Sequence, residues 1–101
     1  MKKHGNSNEN DADHHLYEIR DTEDEDVYKY GICGKPLLPD GSSSRANEQV
    51  DVFNRVVKEV ARFIVNILLV GIPGRKRAKE IEQEHIDEYE KKFGKRPRGN
   101  P

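Results

Sequence analysis

A length of 101 residues allows one small domain, and a hydrophobic content of 33% leaves part of the chain outside any core. The net charge of −1 gives no sign of nucleic acid, and the single cysteine, Cys33, excludes an internal disulfide and a cysteine-built zinc site. No apolar run is long enough for a membrane span, and the polar residues after Met1-Lys2-Lys3-His4 contain no signal-peptide core, so something else must carry the domain if it is exported.

In chain order, residues 1–13 hold no large apolar side chain after Met1 and read as a disordered arm or linker, which leaves 14–101 as the folded domain. Leu16, Tyr17 and Ile19 mark a strand, 21–26 a polar turn, and Val27, Tyr28, Tyr30 and Ile32 a second strand that closes a hairpin. Glycines, prolines and serines fill the loop over 34–44, with Ser44 placed to cap a helix. Val50, Phe53, Val57 and Val60 recur at three and four residue steps and predict an amphipathic helix over about 45–60. The apolar run 63–72, closed by Gly71, Pro73 and Gly74, reads as a buried central strand, with extension of the preceding helix as the alternative. A second helix spans 75–93 with Gly94 at its C-cap, and a basic tail follows over 95–101. The order β-β-α-β-α specifies an α/β (α+β) sandwich: a small, mostly antiparallel three-stranded sheet flanked by helices.

Charge is polarised along the chain. Nine acidic residues lie between Glu9 and Asp26 against the single Arg20, and five basic residues lie between Lys91 and Arg98 with no acid. This pattern fits either two solvated stretches of opposite sign or a locally phosphate-attracting end.

The last helix holds one acid in an unusual place. At about 100° per residue, Ala78, Ile81, Ile86, Tyr89 and Phe93 share the arc that must face the sheet, and Glu82 falls within it, whereas Glu80, Glu84, Asp87, Glu88 and Glu90 fall outside. A carboxylate among core residues needs a partner or a cation. Arg45 or Arg77 would serve as the partner; as the cation, Mg²⁺ suits a single carboxylate because it keeps several waters and takes further oxygens from phosphate. His85 lies on the same arc, either as a packed, hydrogen-bonded residue or as a ligand. Cys33 has no base partner evident in sequence and reads as a small buried residue.

The hairpin Leu16-Tyr17-Glu18-Ile19 and Val27-Tyr28-Lys29-Tyr30-Gly31-Ile32 resembles the paired first strands of GIY-YIG nucleases, in the variant found as C-terminal toxin domains of bacterial polymorphic toxins. Three later landmarks follow in order: Arg45 in Ser44-Arg45-Ala46-Asn47-Glu48-Gln49, Glu82 in Ala78-Lys79-Glu80-Ile81-Glu82, and Asn100 in Pro97-Arg98-Gly99-Asn100. The resemblance runs from about His15 to Asn100 and implies hydrolysis of nucleic-acid phosphodiesters, usually in DNA, with one divalent metal. By that resemblance Glu82 holds Mg²⁺ or Mn²⁺, Tyr17 stands near the attacking water, and Arg45 binds the scissile phosphate. Asn100 would bond near that phosphate or fix the arginine. Arg96 and Arg98 of the basic tail would add salt-dependent substrate contacts through their charge.

The second tyrosine departs from the pattern. Aligned on Gly31, Lys29 stands where that tyrosine is expected, with Tyr28 and Tyr30 on either side. On a regular strand Tyr28 and Tyr30 share one face and Lys29 takes the other, so only one set can line the site; the resemblance to variant family members implies Lys29, with the tyrosines facing a core. His14 and His15 precede the first strand; His15 could supply a base, and a solvent-exposed pair is the plainer expectation.

The expectation is therefore a metal-dependent DNA endonuclease acting as an antibacterial toxin. Such a domain would be secreted or injected as part of a larger effector with a delivery domain, would act in the target-cell cytoplasm, and would be neutralised by a cognate immunity protein, an acidic partner being one sensible solution. The alternatives are an RNase toxin, a nucleic-acid-binding module of the same fold without catalysis, and a small regulatory or scaffold protein.

Overall fold

The structure is a computed structural model and describes residues 12–58 and 61–101. Of the arm expected over 1–13, residues 1–11 lie outside the described part, as does Val60. Five elements follow one another: β1 (Asp13–Asp21), β2 (Asp26–Cys33), α1 (Ser44–Val57), β3 (Phe63–Pro73) and α2 (Gly74–Phe93). Order and layering agree with the sequence reading: three antiparallel strands carry helices in a small α+β domain.

Alternation along β1 separates two cores. Tyr17 and Ile19 point to one face, where they meet Ala46 and Val50 of α1 and Phe63 of β3; Leu16 points to the other, where it meets Ile32, Ile72 and Ala78. The helices thus cover opposite faces of the sheet. The cap of α1 is Ser43, one residue before the expected Ser44; its hydroxyl accepts from the Ala46 amide. His14 and His15 are buried rather than exposed, because β1 already includes them, and the His15 ring bonds the capping Ser43 hydroxyl at 2.8 Å.

Three further expectations change. The strand order is β2-β1-β3, so β1 is central and β3 is an edge strand. Apolar side chains on both faces of the run 63–72 predict a central strand, yet α1 covers only the Phe63, Val65 and Ile67 side, and Ile64, Leu68, Leu69 and Val70 stay exposed. On α2, Phe93 lies in the sheet-facing arc by angle but is 53% exposed at the helix end, where its ring rests on Tyr89. The third change concerns β2. Ile19 pairs with Lys29 and Arg20 with Val27, so Tyr28 is the extra residue of a β-bulge. The bulge resets the alternation: Tyr28 packs on Phe53 and Phe63 at the α1 face, while Tyr30 stacks on His85 of α2 at the other.

The basic tail docks on the sheet, although Lys95, Arg96 and Arg98 stay exposed. Pro97 is fully buried, the Gly99 amide donates to the Tyr28 carbonyl at 2.7 Å, and the Asn100 side chain accepts from the Tyr30 amide while donating to its carbonyl. Asn100 thus acts as an extra strand residue on the outer edge of β2. The tail also neutralises the acidic hairpin. Asp21, fully buried, accepts from Arg62 Nε and Nη2 and from Arg98 Nη2 at 2.8–3.1 Å, and Arg98 pairs with Asp24 as well. The two guanidinium groups hold the Asp21 carboxyl far below the usual carboxylate range.

Candidate active site

A cleft of about 190 Å³ opens beside β1 and β2, lined by Tyr17, Lys29, Gly31, Ile32, Arg45, Arg75, Lys79 and Glu82. Four residues from separate parts of the sequence meet here: Tyr17 from β1, Lys29 from β2, Arg45 from the first turn of α1 and Glu82 from the middle of α2. Larger hollows exist, including one of about 830 Å³ between the hairpin and the C-terminal half of α2, but in its lining Glu18, Glu25, Asp26, Glu84 and Glu88 outnumber Arg20, Lys91 and Lys92, which makes it a poorer seat for an anion.

Local sequence explains each placement. Gly31 has no side chain because a Cβ there would overlap the Tyr17 ring, so the tyrosine lies across β2 with its hydroxyl toward the cleft. That hydroxyl donates to Gln49 Oε1 at 2.8 Å. Gln49 follows Arg45 by one helical turn, so α1 sets the phenol and the guanidinium together. Burial pushes the Tyr17 pKa up, against the pull of Arg45, so the phenol stays protonated at neutral pH.

Lys29, paired with Ile19 and two residues from Gly31, takes the α1 face by ordinary alternation, and Gly99 of the tail passes against its Cβ. Burial pushes its pKa down; Glu82 opposes the shift and Arg45 adds to it. Glu82 is half-buried, and burial pushes its pKa up against the pull of Lys79, Lys29, Arg75 and Arg45. No residue stands within ion-pair distance of Glu82 among the described residues. Arg77, one of its two expected partners, pairs instead with Glu80 and Glu84.

The remaining expected site residues stand elsewhere. Asn100 holds the edge of β2, so its amide is engaged with the Tyr30 backbone rather than aimed into the cleft. Arg98 is committed to Asp21 and Asp24, and Arg96 reaches the Pro101 carbonyl and the edge of Glu90. His15 is buried against Ser43, Tyr28 sits in the aromatic cluster, and Tyr30 stacks on His85, whose Nδ1 bonds the Ile81 carbonyl. Sequence reasoning missed Gln49, Arg75 and Lys79. The signal was present: Gln49 is four residues after Arg45, and Arg75 and Lys79 are seven and three residues before Glu82, all on shared helix faces.

Among the described residues no three His, Cys, Asp or Glu side chains cluster as a metal cage, and no helix is long and apolar enough to cross a membrane. No curated protein and no solved structure matches the chain. The family model described as URI fold toxin 2 matches residues 7–94, a span that includes Tyr17, Lys29, Arg45 and Glu82 and stops before the tail. With most of its length matched, the chain belongs to the URI fold toxin 2 family and is a toxin domain of the polymorphic-toxin kind.

Proposed function

We propose that this toxin domain is a metal-dependent nuclease of the GIY-YIG type that hydrolyses DNA phosphodiesters, deployed from a larger effector into a target cell and neutralised by an immunity protein. One observation carries the reading: Tyr17, Lys29, Arg45 and Glu82 converge on a single small cleft although 65 residues separate the first from the last.

The chemistry follows from what each group can do. Arg45 presents a permanently charged, planar fork to the non-bridging phosphate oxygens and stabilises the charge that grows on them. Lys29, its pKa lowered by burial, takes the proton from water as the water oxygen bonds to phosphorus and the ester P–O bond breaks. Tyr17, oriented by Gln49, hydrogen-bonds the water and keeps its lone pair directed at phosphorus. Glu82 is a hard oxygen donor without a protein partner, which fits Mg²⁺ or Mn²⁺ better than a metal that wants thiolate or imidazole. When bound, the ion would polarise the phosphate and stabilise the leaving oxygen.

The test is incubation of supercoiled plasmid, and separately of RNA, with the protein in Mg²⁺ or in EDTA. Metal-dependent plasmid cleavage is expected, with Arg45→Ala slower by about 10²–10³-fold and Glu82→Ala inactive. Cleavage of RNA alone would move the substrate, and failure of folded protein to cleave either would sink the nuclease reading.

A further inference from the structure

We infer that Arg75 and Lys79 form a second phosphate seat beside the one that Arg45 provides, so that the cleft grips two neighbouring phosphates of a polynucleotide strand. The inference rests on the cleft being a polynucleotide site and does not require that cleavage occur there.

Three observations carry it. The first is placement: Arg75, Lys79 and Glu82 fall at i, i+4 and i+7 on α2 and all line the same cleft. The second is an unmet donor. Arg75 Nε is a buried side-chain nitrogen without a hydrogen-bond partner, and no other such atom occurs among the described residues. Arginines outside the cleft are engaged with carboxylates, Arg62 and Arg98 with Asp21, Arg77 with Glu80 and Glu84, so the acids near them are already taken. A buried guanidinium nitrogen with nothing to donate to costs stability until an acceptor arrives, and it is the kind of cost a protein retains for a ligand.

The third observation is charge. The cleft brings four cationic side chains to one carboxylate, in a chain whose net charge is −1. With Lys29 in its neutral form, Arg45, Arg75 and Lys79 still outnumber Glu82 by two charges. A single scissile diester carries one negative charge, so it leaves the cleft with a surplus; a second phosphate removes it. Any divalent ion on Glu82 makes the surplus larger. The ligand chemistry is therefore a run of phosphodiesters, not an isolated one.

The salt dependence of binding tests this directly, because each phosphate contact contributes a slope of about 0.9 in log K against log salt on duplex DNA. A labelled short DNA duplex is titrated with the full chain in EDTA, so that cleavage plays no part. The double variant Arg75→Gln/Lys79→Gln is expected to lower the slope by about one contact and each single variant by part of that, and Arg77→Gln, whose guanidinium is paired away from the cleft, to leave it unchanged. The thermal midpoint of Arg75→Gln should not fall, since the lost Nε had no partner; if that variant fails to fold, Lys79→Gln, at an exposed position, decides alone. An unchanged slope in the cleft variants overturns the inference even when the wild-type protein cleaves plasmid. A lowered slope in a protein that cleaves nothing sustains it while the nuclease reading falls. Folded wild-type protein that binds neither the duplex nor an RNA strand of the same length overturns both.

Discussion

At the scale of single residues, Lys29 shows how a fold shifts the proton affinity of an ordinary side chain. An exposed lysine is protonated at neutral pH and is no base. Here the pairing of Lys29 with Ile19 puts it on the α1 face, the tail closes over its Cβ, and burial lowers its pKa, with Glu82 opposing and Arg45 reinforcing the shift. If Lys29 accepts the proton of the attacking water, kcat/KM rises with pH until the lysine is fully neutral and then levels off, at an apparent pKa below the ordinary 10.5. Lys29→Arg keeps the charge and cannot lose it, so it should remove that rising limb and slow the reaction by about 10²–10⁴-fold. A pH–rate profile of the arginine variant that still rises along the wild-type curve would assign the base elsewhere.

At the scale of elements, the helix and strand ends carry the informative detail. Helix α1 ends on Lys58 in the left-handed region, φ 58° and ψ 36°, a conformation in which a Cβ crowds the backbone. Lys58→Gly should therefore stabilise the domain by about 0.5–1 kcal/mol, read as a higher denaturant midpoint at unchanged slope. A lower midpoint would mean that the lysine makes a contact worth more than the strain. Asn100 argues in the opposite direction. Its amide makes two hydrogen bonds to Tyr30, so Asn100→Ala should cost about 1–2 kcal/mol. Its effect on turnover should come through movement of the neighbouring Lys29 and should leave the cleft's affinity for DNA intact.

These elements also mark how far the sequence could be read. The order of strands and helices was legible because each carries its own period, and Glu82 stood out from five acidic neighbours by helical angle alone. The bulge at Tyr28 was not legible. A strand pattern assumes strict alternation, and one extra residue, visible only when Ile19 and Arg20 are paired across it, reverses which side chains share a face. The edge position of β3 was hidden for a related reason: apolarity records that a strand is apolar, not which neighbours it finds. His14 and His15 were misplaced because a polar pair at a strand start resembles a pair before it. The role of Arg98 depended on Asp21, a partner 77 residues away that no local pattern indicates.

At the scale of the whole molecule, stability and acidity are linked through two buried groups. Burial, helped by His14, lowers the His15 pKa below its ordinary 6.5, so the unfolded chain binds a proton there before the folded one does. Stability from this group is complete above about pH 6.5 and declines as pH falls toward the lower folded pKa. Asp21 acts in the same direction further down. Its folded pKa lies far below the ordinary 3.8, so its contribution is present above that value and is lost as pH drops beneath it. Denaturant midpoints against pH should thus descend in two steps, the upper absent in His15→Gln and the lower absent in Asp21→Asn. The Asp21 change should also cost about 2–3 kcal/mol at neutral pH, because hydrogen bonds to a charged partner are lost. A profile flat between pH 7.5 and 5.5 would remove His15 from this account.

The two margins of the sheet are unlike. Asn100 and Gly99 occupy the outer side of β2, and on the far margin the Asn54 amide engages only the Phe63 backbone, which leaves the rest of β3 with no adjoining strand among the described residues. Strand addition there has a valency of one. A chain with two open margins can be threaded into a fibril, each copy relaying the next; a chain with one can only be terminated. Whatever lies along Ile64 to Val70, whether a second copy related by a two-fold axis or a strand from another protein, completes the sheet and leaves no margin for a third.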